Sequence, residues 1–256
     1  MREKLSSQVL LDRWEDRRAC QNLIGKFSHS YLTKEEGLFY GRFWSKRDDV
    51  SLGLNKGYYI GEEAIRGYFD AVDANTQVKS RLVQKLFPEF LAHRSDEDIH
   101  GVGETSGYPI VAGGVEIAGD GQTAKGCWLC FGADVTIGTN GPVHRWQYGT
   151  MAADFILEDS QWRIWHLSLE HDHTITVGEN YAKVPVRQAP EEDPLFVNFG
   201  SPTIPREVYD PFFGWENMWY DMPRPYETMT AERSYGPAVM VFVTQASRVM
   251  SKVSGS

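Results

Sequence analysis

Between residues 114 and 169 the chain passes from one extended run to the next with no helix-length segment between them. Residues 115–118 lead through Gly119-Asp120-Gly121 into 123–131, and 146–157 lead through Glu158-Asp159-Ser160 into 162–169. Asp-Gly between apolar runs is a strong short-range hairpin signal. Strands joined by such short turns pair antiparallel, because a parallel pair needs a long crossover. This half of the chain therefore reads as a curled antiparallel meander.

Helical periodicity precedes it. Cys20, Leu23, Ile24, Phe27 and Tyr31 fall on one stripe of a helix, and Ile65, Tyr68, Phe69 and Val72 on another that opens after Gly61. A short helix is expected over 35–44, and a hairpin over 50–60 around Asn55-Lys56-Gly57. Residues 94–107, rich in Gly, Asp, Glu and Ser, read as loop. Helices first and a meander afterwards make an α+β plan, with a domain over 1–177. The remainder, 178–256, differs in kind: most of the prolines lie there beside Phe196, Phe199, Tyr209, Phe212, Phe213, Trp215, Trp219, Tyr220 and Tyr226. So many aromatics exclude a plain linker. An extended strap is expected, packed on the domain's pocket mouth or on a neighbouring subunit.

The 26 basic and 35 acidic residues give a net charge of −9, which disfavours nucleic acid or an anionic membrane as partner. No signal-peptide pattern and no apolar run of membrane-spanning length is found, so the expected location is the cytoplasm, where Cys20, Cys127 and Cys130 stay reduced. Cys127 and Cys130 lack the second pair that a zinc site needs, and residues three apart on a strand face opposite sides. They read as buried packing.

Titratable groups are densest at Glu170-His171-Asp172-His173, just after His166. Imidazole titrates near neutrality, which suits acid–base work. A metal reading would use His171 and His173, but no matching ligand pair stands elsewhere, and no metal is expected. Tyr31 ends its helical stripe five residues before Glu36. Asn55, Tyr58 and Tyr59 belong to the hairpin, Tyr108 precedes Pro109 at a strand entrance, and Tyr148 lies in a strand. Phosphate loops, nucleophile elbows and dinucleotide fingerprints are all missing, so no cofactor is expected.

Four segments together resemble SnoaL-like proteins of the nuclear transport factor 2-like superfamily. They are the helix ending at Tyr31, the hairpin before Gly61-Glu-Glu-Ala-Ile-Arg66, the Asp120-Gly-Gln-Thr-Ala-Lys-Gly-Cys-Trp128 element, and Tyr148 through Trp162-Arg-Ile-Trp-His166. They span 14 to about 173. The resemblance implies a cone whose mouth binds a small hydrophobic aromatic molecule, cofactor-free acid–base chemistry, and a homo-oligomer, dimer or trimer. It implies Tyr31, Asn55, Tyr108 and His171 as catalytic groups and Tyr59, Trp128, Tyr148 and His173 as substrate contacts, with His166 as the alternative to His171. Against the bile-acid dehydratase pattern, Tyr108 stands where that pattern has His, Gly132 where it has Asp, and His171 near its Arg. Dehydration of that kind is therefore not carried over.

The long extension with Arg224-Pro-Tyr-Glu-Thr228 is similar to longer members that include diarylpropane lyases of lignin catabolism. The expectation drawn from that likeness is a lyase that expels a benzylic hydroxyl, forms a quinone methide and releases formaldehyde to leave a stilbene. A dehydratase or isomerase of a polycyclic substrate and a non-catalytic binding protein are the rival readings, since fold alone proves no function.

Overall fold

The computed structural model of the chain describes residues 6–33, 41–138, 141–178, 200–205 and 220–237, except the side chains of 32, 33 and 171–174. The helix expected over 35–44 falls mostly outside these residues, as does Glu36. So do the aromatics named above for the extension, other than Tyr220 and Tyr226.

Two long helices pack on one curled sheet. Helix α1 (Ser7–Thr33) buries Cys20, Ile24 and Phe27, the stripe its spacing predicts. Its first half is largely exposed and is tied to the sheet by polar bonds. Arg13 donates to the Gly119 carbonyl, Arg17 pairs with Glu116 at 3.1 Å, and the Trp162 indole donates to Asp16 at 2.8 Å. Helix α2 (Glu62–Leu86) starts beyond Gly61 with Glu62 and Glu63 in its first turn, where acidic groups suit the helix dipole, and stops before Pro88. A single extra turn, α3 (Pro88–Leu91), follows it.

The strands are β1 (Ser51–Leu54), β2 (Gly57–Ile60), β3 (Thr105–Gly107), β4 (Ile110–Ile117), β5 (Thr123–Gly138), β6 (Gly141–Glu158), β7 (Gln161–Thr176) and β8 (Ile204–Pro205). They form one sheet in the order β3-β5-β6-β7-β1-β2-β8, with β4 also on β5. The meander is as expected, with Asp159 and Ser160 both at positive φ in the β6–β7 turn. Two features differ. The sheet is mixed, because β1 enters beside β7 in parallel, Leu52 opposite Leu167. The segment 94–107 ends in a strand, β3, paired with 133–135 of β5. Its small polar residues carry no period-two signal, and pairing with a neighbour alone makes them a strand.

Strand alternation sorts β5 and β6 into two faces. Ala124, Trp128 and Cys130 join Met151, Ala153 and Phe155 in the main core under the helices. Cys127 and Ala152 pack on the other side with Tyr220 and Tyr235. The two cysteines thus face opposite sides, both buried. Gly126 has no side chain because the Trp128 indole folds back over it; a Cβ there would collide with the ring. That contact explains the Gly-x-Trp of the sequence element. The whole is an α+β fold: helices on one face of a curled, mixed sheet, with 220–237 against the other.

Candidate functional site

The concave face, between the sheet and the two helices, holds a cluster of tyrosines, with one carboxylate, Asp134, near enough to act on two of them electrostatically. Tyr31, on the last turn of α1, meets the Tyr108 ring edge-on at 5.1 Å. Its hydroxyl is hydrogen-bonded to Tyr68 of α2, and Tyr68 lies 5.0 Å from the Tyr59 ring of β2. Burial first, then the neighbouring Tyr68 and Tyr108 and the Asp134 carboxylate, hold the Tyr31 hydroxyl well above the ordinary tyrosine value. Burial likewise pushes Tyr108 up to about 12, with Asp134 adding to it. These phenols stay protonated at neutral pH and serve as hydrogen-bond donors.

Asp134 reaches this cluster from β5, two residues beyond Gly132 on the same face. Its carboxylate lies 3.6 Å from Arg145 of β6, with its side chain 16% exposed. Gly132 leaves room for Tyr108: a Cβ there would sit 3.0 Å from the Tyr108 ring. Gln147 stands directly across the ladder from Gly132. Its side chain is hydrogen-bonded to the Tyr108 hydroxyl in the sense that favours the phenolate. Ser106 also donates to that hydroxyl, at 3.3 Å, and Ser28 anchors the Tyr108 carbonyl at 2.7 Å. Further along the same face a buried pair, Lys79 and Glu104 at 2.8 Å, shares Thr136.

The structure therefore brings Tyr31, Tyr108 and, through Tyr68, Tyr59 together. Trp128 lies on the same face, buried against Phe155. Asn55 sits in the two-residue turn between β1 and β2. Tyr148 is placed elsewhere: it is 50% exposed on the convex face, 4.7 Å from the Phe131 ring. In the β6–β7 register His171 is opposite Gly149 and His173 opposite Tyr148, with an irregularity at that step. Two residues of β7 advance where β6 advances one, so period-two counting from His171 to His173 does not hold there. Their side chains lie outside the described residues. His166 is buried on the convex side, its Nδ1 2.8 Å from the Ser51 hydroxyl. Burial lowers its pKa.

Sequence reasoning missed Asp134, Tyr68, Gln147 and Arg145. A signal for Asp134 existed: it is six residues beyond Trp128 and shares that residue's strand face. Tyr68 sat on an apolar helical stripe and read as core. Among the described residues no group of three or more His, Cys, Asp or Glu is arranged to hold a metal. Also among them, no helix is long and apolar enough to cross a membrane.

No family model matches the chain, and no curated protein sequence matches it. Solved structures do align with it. A type 2 hexachlorocyclohexane dehydrochlorinase (LinA) is 15% identical over 68% of this chain and 97% of its own, with a TM-score of 0.48. A protein from Kribbella flavida is 14% identical over 63% of this chain and 93% of its own, TM-score 0.46. An NTF2-like protein with a cystatin-like fold from Novosphingobium aromaticivorans is 12% identical over 68% and 90%, TM-score 0.40.

Proposed function

We propose that the protein is a cofactor-independent lyase of a small aromatic substrate, with its reaction centre at Tyr31, Tyr108 and Asp134. The observation carrying this reading is a carboxylate set beside enclosed, protonated phenols on the concave face of the sheet. A base next to hydrogen-bond donors is what removing a hydroxyl and a proton from one molecule requires. Tyr59, Tyr68 and Trp128 supply aromatic surface for rings.

The finer reading is a lignin-derived diarylpropane diol. In the first stage the substrate's phenol loses its proton and the benzylic C–O bond breaks. The hydroxyl leaves as water, aided by Tyr108 and Tyr31, and a quinone methide remains. Next Asp134 takes the proton of the primary hydroxyl, the carbon–carbon bond breaks and formaldehyde departs. The bonding pair forms the new C=C and restores the aromatic phenolate, which regains a proton. Diol becomes stilbene, formaldehyde and water with no net electron transfer, so no external oxidant or reductant is needed. Arg145 stands 3.6 Å from the Asp134 carboxylate. His171, opposite Gly149 in the register, is proposed as a second acid or base.

Incubation with a panel of lignin dimers, following formaldehyde and stilbene absorbance, tests this. Turnover that persists unchanged after EDTA treatment is expected. Neither product from any dimer would reject the finer reading. Equal rates for wild type and Asp134→Asn on an accepted substrate would reject the site.

A further inference from the structure

Gln147 carries an acceptor that no described residue satisfies. The residue is 7% exposed, and its Oε1 is enclosed without a hydrogen-bond partner among the described residues. Buried amide oxygens are rarely left so, because the lost hydration is not recovered. The amide's orientation follows from its neighbour. The side chain is hydrogen-bonded to Tyr108, and with Oε1 unpartnered the amide nitrogen is the end that makes that bond. Gln147 stands across the ladder from Gly132, on the face that carries Asp134. At Gly132 a Cβ would meet the Gly107 carbonyl oxygen and the Tyr108 ring, so that position stays bare. Polar groups continue along that face, where Lys79 of α2 donates to Thr136 and pairs with Glu104.

We propose that Gln147 is a specificity residue whose Oε1 accepts a hydrogen bond from a hydroxyl of the bound ligand, so that the site selects free phenols or alcohols over their ethers. The inference rests on the concave face being the ligand site, as in the proposed function, but not on the reaction. A ligand hydroxyl gives the orphaned oxygen its donor. A methyl ether at that position leaves it unpaired and adds a methyl group against it. A site built to pair with a hydroxyl discriminates strongly against an analogue without one, whereas an apolar pocket does not.

Binding of para-phenylphenol and of its methyl ether, measured by calorimetry on the full chain, tests the proposal. The phenol is expected to bind about tenfold or more tighter than the ether. In Gln147→Met the ratio falls to near one, chiefly through weaker phenol binding, while Gln147→Asn keeps a preference because it keeps the amide. Equal binding of both probes by wild type, no binding of either, or an unchanged ratio in a folded Gln147→Met protein overturns it. Phenol selectivity without turnover of any diol would reject only the diarylpropane reading. Turnover of diols without selectivity would reject only the role of Gln147.

Discussion

At the scale of single residues, the concave site sets a carboxylate near phenols that stay protonated at neutral pH. Asp134→Asn removes the base while preserving shape. Formaldehyde release should fall by about a hundredfold or more, the usual scale for a lost general base. Its melting temperature should stay close to wild type, because the side chain is partly exposed and its ion pair with Arg145 is long. Tyr108 yields a pH signature. Its folded pKa is raised from 10.0 to about 12, so the neutral form is the one that folding favours. The stability this contributes is whole below pH 10 and is lost as pH rises from there toward about 12. Tyr108→Phe should therefore show a shallower alkaline fall in melting temperature than wild type. Identical alkaline limbs would contradict the burial of that hydroxyl.

At the scale of elements, the convex face of β5–β7 shows how 220–237 is attached. Asp154 is fully buried there. It accepts from Lys125 at 2.9 Å, from the Ser234 hydroxyl at 2.7 Å and from the Tyr235 amide at 2.7 Å. Lys125 also donates to the Arg233 carbonyl and lies 3.3 Å from the centre of the Tyr235 ring. Tyr220 completes the attachment by donating to Ser168 at 2.7 Å. Removing one partner of a buried pair leaves the other charge unmatched, at a cost of about 3–5 kcal/mol. Asp154→Ala should lower the melting temperature and make 220–237 the first segment cut in limited proteolysis. His166 lies against the same segment, with Gly236 packed on its ring. Burial, partly offset by Asp154 and Asp49, lowers its pKa from 6.5. Stability from the neutral ring is therefore whole above pH 6.5 and lost as pH falls through the lower folded value. Melting curves taken at falling pH should show a gentler acid loss in His166→Asn than in wild type.

At the scale of the whole molecule, the open question is what lies against the convex face beyond 220–237. Leu129, Phe131, Trp146 and Tyr148 are exposed there, with Phe131 and Trp146 stacked at 5.3 Å. We propose a homo-oligomer with the extension in its contacts, to be read from light scattering. Phe131→Glu should shift the mass toward monomer without unfolding the chain, and an unchanged mass would exclude this face. Truncation after Val177 uncovers Lys125, Cys127, Ala152 and Asp154, so a poorly soluble product is expected. A truncated chain that stays soluble, with native mass and ligand binding, would show the extension to be dispensable.

What the sequence determined by itself is local in origin. The helical stripe of Cys20, Ile24 and Phe27, the β1–β2 hairpin and the β4–β5 and β6–β7 turns all follow from periodicity and turn chemistry within a few residues. The opposite facing of Cys127 and Cys130 follows from strand alternation alone. The address of 220–237 on the convex face was not legible, because it rests on contacts with Cys127 and Ala152 far away in the chain. The composition of the site was only half legible. Tyr31, Tyr108 and Tyr59 could be nominated, whereas Asp134, Tyr68 and Gln147 carry no motif and become partners only when β5, β6 and α2 meet. The parallel entry of β1 beside β7 and the strand at Thr105–Gly107 were likewise decided by tertiary pairing. Backbone geometry repeats over short spans and leaves a period in the sequence, but contact between distant side chains leaves none.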